Sequence, residues 1–428
     1  MWKNDHWKRV VLNIFLVLLI AAILGGLGFF MLRVRSQNRE YDEHLSELYV
    51  QQQQQQTEAR QESVAAIQAE YEKDLETVAK YLPGIVCWGD SLTQGTAGNT
   101  SYPSVLKAYL ETYFSDIYSF RRTISNAEDF ARLNWDDYTV SVPVVNMGAS
   151  KESSFTILGR AGAVPYVLSE AAVIPAGTEP VEVRITSQNG EWVRPLIGGA
   201  EGINNLHIAG IEGELSLDSA ARALGVNKYL FTRTEEGEET RVEAGEAIET
   251  AGANMYRDYI HIVCIGTFGS FDTADELVDQ VKALLARQTE NTDRYIVLGI
   301  IGQDGTEYSA PWMDIIDSVM MQAFGNRYIN IRKYLIEDGL SDAGLKATDM
   351  DTYNISIQKV PASFISNTSE VELNARAYKL IGKLIYDRMD SLGYFDEVYE
   401  ELGIRDRFKQ LLKEDSGYFD RNLNNRLK

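Results

Sequence analysis

Apolar positions fall into three regimes along the chain. The first is Val10 to Leu32, a 23-residue apolar run broken only by the polar Asn13. At about 1.5 Å rise per residue, such a helix exceeds the roughly 30 Å hydrocarbon thickness of a bilayer. The pattern predicts a transmembrane helix over residues 10–32, preceded by a short tail, 1–9. A cleaved signal peptide has an apolar stretch of about 7–15 residues and a small-x-small site. Here the run closes on Phe29, Phe30, Met31 and Leu32 before Arg33, which favours an uncleaved anchor. Lys3, Lys8 and Arg9 on one side are matched by Arg33, Arg35 and Arg39 on the other, so charge alone barely sets the orientation. A short leader before a large domain is the usual signal-anchor arrangement, with the amino terminus cytoplasmic and the large domain extracytoplasmic.

The second regime, residues 33–82, contains neither Pro nor Gly after Ser36 and carries the tract Gln51 to Gln56. Val64, Ile67, Tyr71, Leu75, Val78 and Leu82 recur at spacings of three or four, which predicts a helical stalk with one apolar stripe. A homodimeric coiled coil through this stalk is one reading. Asp74 breaks the heptad register, so packing of the stripe on the chain's own domain is the other.

Beyond Pro83, short β-branched runs alternate with helical patterns. Ile85–Trp88, Val142–Met147, Tyr259–Ile265, Tyr295–Ile301 and Tyr328–Ile331 read as buried strands, and Ser104–Phe114, Ala274–Arg287 and Asn374–Leu392 as helices. This alternation predicts an α/β domain, residues 83–163 and 254–400, with a parallel sheet covered by helices on both faces. Chemistry in such folds collects at the carboxyl ends of the strands. Residues 164–253 switch to short pieces such as Val181–Thr186, Tyr229–Thr234 and Thr240–Val242 between Gly-, Asn- and Glu-rich turns, which predicts a β-rich insertion. Residues 401–428 read as a helical tail.

Composition narrows the function. A formal charge of −21 with no basic stripe argues against nucleic acid as a partner. Two Cys cannot form a disulfide framework, four scattered His make no metal spacing, and no glycine-rich phosphate loop occurs, so neither metal nor cofactor is expected. Cys87 and Cys264 read as unpaired core thiols on neighbouring strands. His261, at the start of a strand, and His207, in the insertion, read as structural; His6 and His44 flank the membrane run.

The sharpest local signal is Ile85-Val86-Cys87-Trp88-Gly89-Asp90-Ser91-Leu92-Thr93-Gln94-Gly95, an apolar strand running into a turn that presents Ser91 at the sheet edge. A hydroxyl there is a nucleophile if a base takes its proton, and otherwise a helix cap. Together with Val145-Asn146-Met147-Gly148, the block after Tyr259–Ile265, and Val371-Glu372-Leu373-Asn374-Ala375-Arg376-Ala377-Tyr378, this segment resembles the SGNH/GDSL hydrolase family. The resemblance covers roughly residues 83–160 and 255–400. It implies a flavodoxin-like sheet, Ser91 as nucleophile, and the Ser91 and Gly148 N–H groups as oxyanion donors. It also implies an O-acyl ester of carbohydrate or lipid at the cell envelope as substrate.

The departures from the family pattern bear on activity. Where the family carries Gly-x-Asn, this chain reads Gly266-Thr267-Phe268, and Phe268 cannot donate a hydrogen bond. The closing Asp and His fall on Ser369 and Glu372, and no His follows His261. Loss of one oxyanion donor typically costs about 10²–10³ in turnover, and loss of a triad member about 10⁴–10⁶. Two readings follow: a hydrolysis-impaired member whose cleft binds a cell-envelope glycan, an acylated small molecule or a partner, and an active serine esterase with Glu372, or else Asp304, as base.

Overall fold

The computed structural model describes residues 4–95, 100–121, 140–193, 201–223, 228–290, 292–366 and 370–403. It divides into two units. The first is helical: α1 runs unbroken over Asn4–Tyr81, so the apolar run and the stalk form one helix, and its residues up to Glu72 make up this unit. The apolar part is long and apolar enough to cross a membrane. The last turns of α1 belong to the second unit, where Val78 and Leu82 are buried in the core and Leu75 packs against it. Asp74, the residue that interrupts the heptad, is itself buried there.

Within the second unit, β1 (Ile85–Gly89) is followed by α2 (Tyr102–Arg121), β2 (Val144–Gly148) and α3 (Ser154–Arg160). The insertion then contributes β3 (Tyr166–Leu168), β4 (Ala172–Ile174), β5 (Val181–Val183), β6 (Ile185–Thr186), β7 (Leu206–Ile208), β8 (Ile211–Leu217), β9 (Tyr229–Arg233), β10 (Thr240–Val242) and β11 (Ala247–Glu249). The α/β pattern resumes with β12 (Ile260–Cys264), α4 (Ala274–Leu285), β13 (Tyr295–Leu298), α5 (Ala310–Phe324), β14 (Tyr328–Ile329) and α6 (Ala375–Ser391).

The five strands outside the insertion form one all-parallel sheet in the order β2-β1-β12-β13-β14. Successive side chains of a strand point to opposite faces, and the sheet builds two cores accordingly. Ile85, Cys87, Ile260, Ile262, Cys264, Ile296 and Leu298 pack with α2 and α6, while Val86, Trp88, Val263 and Val297 pack with α3, α4 and α5. Burial on both faces explains why these strands read as unbroken apolar runs. Cys87 and Cys264 are buried and free.

The insertion is antiparallel, a seven-stranded sheet in the order β5-β9-β8-β7-β11-β3-β6 plus the pair β10-β4, around its own small core that includes Tyr166, Ile208, Tyr229 and Phe231. Hydrogen bonds from the buried Arg160 and Tyr166 side chains fasten it to the α/β part. Arg160 donates to Glu152 at 2.7 and 2.9 Å, to the Met147 carbonyl at 2.8 Å and to the Glu201 carbonyl at 3.1 Å. Tyr166 of β3 reaches the Thr156 carbonyl at 2.7 Å.

Candidate functional site

The strand order reverses direction between β1 and β12, and ligands of open parallel sheets bind beyond the carboxyl ends of the strands at such a point. Ser91 lies two residues past β1 and Phe268 four residues past β12. Past the ends of β2, β12 and β13 lies a cleft of about 560 Å³, lined by Lys151, Phe268, Asp304, Tyr308, Lys359 and Glu372 among others, and Ser91 is not among its lining residues. The size falls within the range of small-ligand sites.

Asp90 shapes the Ser91 turn by capping the one-turn helix Ser91–Gln94, accepting the Leu92 N–H at 2.9 Å. Two glycines let that helix settle on the strand ends. A Cβ on Gly89 would lie 2.0 Å from Thr93 Oγ1, and one on Gly148 would lie 2.1 Å from the Gln94 nitrogen. Asp90 is fully buried; burial pushes its carboxyl up to about 7, while the Leu92 N–H and Thr267 favour the ionised form.

Ser91 is 4% exposed, and its hydroxyl oxygen accepts the backbone N–H of Lys151 at 2.9 Å. Among the described residues no carboxylate or imidazole is hydrogen-bonded to this hydroxyl. Gly148, expected to offer its N–H to an oxyanion, donates it to Asn146 Oδ1 at 2.9 Å. The N–H that the structure sets against Ser91 is therefore that of Lys151, three residues further on. Lys151 has φ 56°, in the left-handed region that favours glycine, and this backbone turn aims its N–H at the serine.

Glu372 lies half-buried in the cleft wall, and its carboxylate is unpaired among the described residues. Asp304 is exposed on the facing loop, held by its N–H to the Thr267 carbonyl at 2.7 Å. Phe268 is half-buried with its ring on the cleft. The structure thus brings Phe268, Asp304 and Glu372 to one cleft, and joins Ser91 to it through Lys151. Ser369 lies outside the described residues.

Sequence reasoning gave no role to Lys151, Lys359 or Tyr308. Lys359 pairs with Glu370 at 2.7 Å and sits 5.7 Å from the Tyr308 ring centre. The Tyr308 hydroxyl is bonded to the Gln358 carbonyl, and Trp312 Nε1 donates to Gln303 at 2.6 Å, fixing the far wall. Nothing in their spacing marks these residues, because the cleft joins loops distant in the chain.

His261 is buried near the amino end of β12, away from the cleft, with Nε2 3.1 Å from the Tyr256 carbonyl; burial pushes its pKa down to about 4. His207 lies on β7 opposite Glu212 and Glu249. Among the described residues no group of three His, Cys, Asp or Glu side chains is placed to hold a metal ion. In comparisons with known proteins, the chain matches no family model and no curated protein.

Proposed function

We propose that this chain is a membrane-anchored, SGNH/GDSL hydrolase-like protein of the cell envelope whose cleft binds a glycan and whose ester hydrolysis is impaired. Its α/β part is read as the flavodoxin-like sheet of that family, a reading supported by the strand order β2-β1-β12-β13-β14. The amino terminus is read as cytoplasmic and the large domain as extracytoplasmic, with the apolar run of α1 as the span between them.

One observation carries the reading: the Ser91 hydroxyl is held by a backbone N–H, and no base is bonded to it among the described residues. A serine hydroxyl needs a proton acceptor within about 2.6–3.2 Å, or through one water. The residue at the expected position of the base is a glutamate, a carboxylate in place of the imidazole that the family uses to take the serine proton. Phe268 supplies no amide for an oxyanion. What remains suits recognition: Asp304 and Glu372 can accept sugar hydroxyls, and Phe268 and Tyr308 can stack on apolar sugar faces.

The second reading, an active esterase using Ser91 and Glu372, is favoured by Glu372 sharing a cleft with Lys151, whose N–H touches Ser91. Full-length protein in detergent separates the two. A fluorophosphonate probe and an aryl acetate are offered to wild type and Ser91→Ala, and envelope glycan fragments are titrated against wild type and Asp304→Asn/Glu372→Gln. Glycan binding lost in the double variant, with no Ser91-dependent labelling or turnover, is expected. Ser91-dependent turnover with burst kinetics would sink the impaired reading.

A further inference from the structure

The insertion does more than decorate the sheet. Its Ser187–Glu191 turn is closed by the Ser187 N–H on the Glu191 carbonyl at 2.9 Å and by the Glu191 N–H on Ser187 Oγ at 3.0 Å. This turn extends Glu191 onto the carboxyl edge of the parallel sheet. Glu191 Oε2 accepts the Ser153 hydroxyl at 2.5 Å, and Oε1 accepts the Ser270 hydroxyl together with Asn189 Nδ2 at 3.2 Å. Ser153 stands two residues beyond Lys151 on the loop after β2, and Ser270 two residues beyond Phe268 on the loop after β12. One carboxylate from the insertion therefore holds both loops that frame the Ser91 end of the cleft.

The same two loops are joined to each other, since Ser154 donates both its N–H, at 3.2 Å, and its hydroxyl, at 2.7 Å, to the Gly269 carbonyl. Each also contains a non-glycine residue in the left-handed region, Lys151 at φ 56° and Ser270 at φ 76°. Such conformations persist only where surrounding contacts over-determine them. The Glu191–Ser153 bond lies two residues from Lys151, and the Glu191–Ser270 bond two residues from Phe268.

We propose that Glu191 is a positioning residue: by tying Ser153 and Ser270 it holds the Lys151 N–H against Ser91 and the Phe268 ring in the cleft wall, so that the insertion sets the shape of the site. This rests on the cleft being the functional site, but concerns its geometry and not its ligand.

Hydrogen–deuterium exchange on the full-length protein in detergent tests it, with Glu191→Ala, Glu191→Gln and, as a control on the insertion surface, Glu182→Gln, which removes only an exposed pair with Lys228. In Glu191→Ala, amides in Ala149–Thr156 and Phe268–Phe271 are expected to exchange at least about tenfold faster, with β8 and β9 unchanged. Glu191→Gln, which keeps one acceptor, is expected to fall between, and Glu182→Gln to match wild type. Wild-type exchange of both loops in Glu191→Ala, or faster exchange spread evenly through the insertion, would overturn the proposal. Glycan titration runs alongside: absence of binding by wild type while the loops respond as expected would remove the glycan reading and leave Glu191's role standing.

Discussion

Replacing Arg160 by Ala should be among the most damaging single changes in the α/β unit. Arg160 is fully buried and makes four hydrogen bonds, two of them to the buried Glu152 carboxylate. Its guanidinium also lies 5.3 Å from the Trp88 ring centre. At the 2.7 Å closest approach, an effective dielectric of about 20 gives an attraction of about 6 kcal/mol. Most of that offsets the desolvation of two ions. Removing the cation leaves the carboxylate buried with, among the described residues, only the Tyr166 hydroxyl, at 3.4 Å, as partner. An orphaned buried charge costs about 3–5 kcal/mol.

The pH dependence follows from the same pair. Burial raises the Glu152 carboxyl above its ordinary range and Arg160 opposes that rise. Without Arg160 the rise is larger, so the folded variant binds a proton more readily than the unfolded chain. Stability of the variant should then be lost as pH rises through the folded-state pKa and regained on acidification. Urea unfolding followed by tryptophan fluorescence at pH 5 and pH 8 measures this, and the deficit of Arg160→Ala relative to wild type should be smaller at pH 5. Glu152→Gln/Arg160→Met, which removes both charges, should lie closer to wild type than Arg160→Ala does. A deficit below about 1 kcal/mol at both pH values would refute the reasoning.

Gly148→Ala should destabilise the unit by about 1–3 kcal/mol, because the added Cβ meets Gln94 backbone at 2.1 Å and cannot be absorbed by a side-chain rotation; the urea midpoint reads it. Asp90, raised from 3.8 to about 7 by burial, favours the fold when protonated, so its contribution falls as pH rises across that window. Asp90→Asn should flatten wild-type stability against pH between those values, and an unchanged slope would count against a buried Asp90.

Much of the parallel sheet is legible in the chain because its inner strands β1, β12 and β13 are buried on both sides and so appear as β-branched runs. The ends are less so: Val142 precedes β2, and Ile331 begins a helix capped by Asn330, whose side chain accepts the Lys333 N–H at 2.9 Å. Span and stalk form one helix because nothing between Ser36 and Leu82 interrupts it. Asp74 argues from sequence against a strict heptad, and the structure buries it beside Val78 and Leu82 in the folded unit. In the insertion the strands are visible, but alternation does not say which strand pairs with which, so the order β5-β9-β8-β7-β11-β3-β6 is not readable.

Of the candidate site, Ser91, Phe268, Asp304 and Glu372 are legible because they occupy turns after strands or a recognisable segment. Lys151 is not, since its contribution is a backbone N–H aimed by a left-handed turn, and no side-chain chemistry announces that. Glu152, Arg160 and Glu191 are hidden for another reason. Charged residues are normally exposed, and nothing in a single sequence marks those that a fold buries or uses as ties.

Whether Ser91 lacks a competent base is answered by placing a histidine at position 372. Aryl acetate turnover is measured for full-length wild type, Ser91→Ala, Glu372→His and Glu372→His/Ser91→Ala. Wild type is expected to equal Ser91→Ala, with Glu372→His gaining at least about tenfold and losing that gain when Ser91 is removed. Wild-type turnover that vanishes in Ser91→Ala and falls in Glu372→His would contradict it.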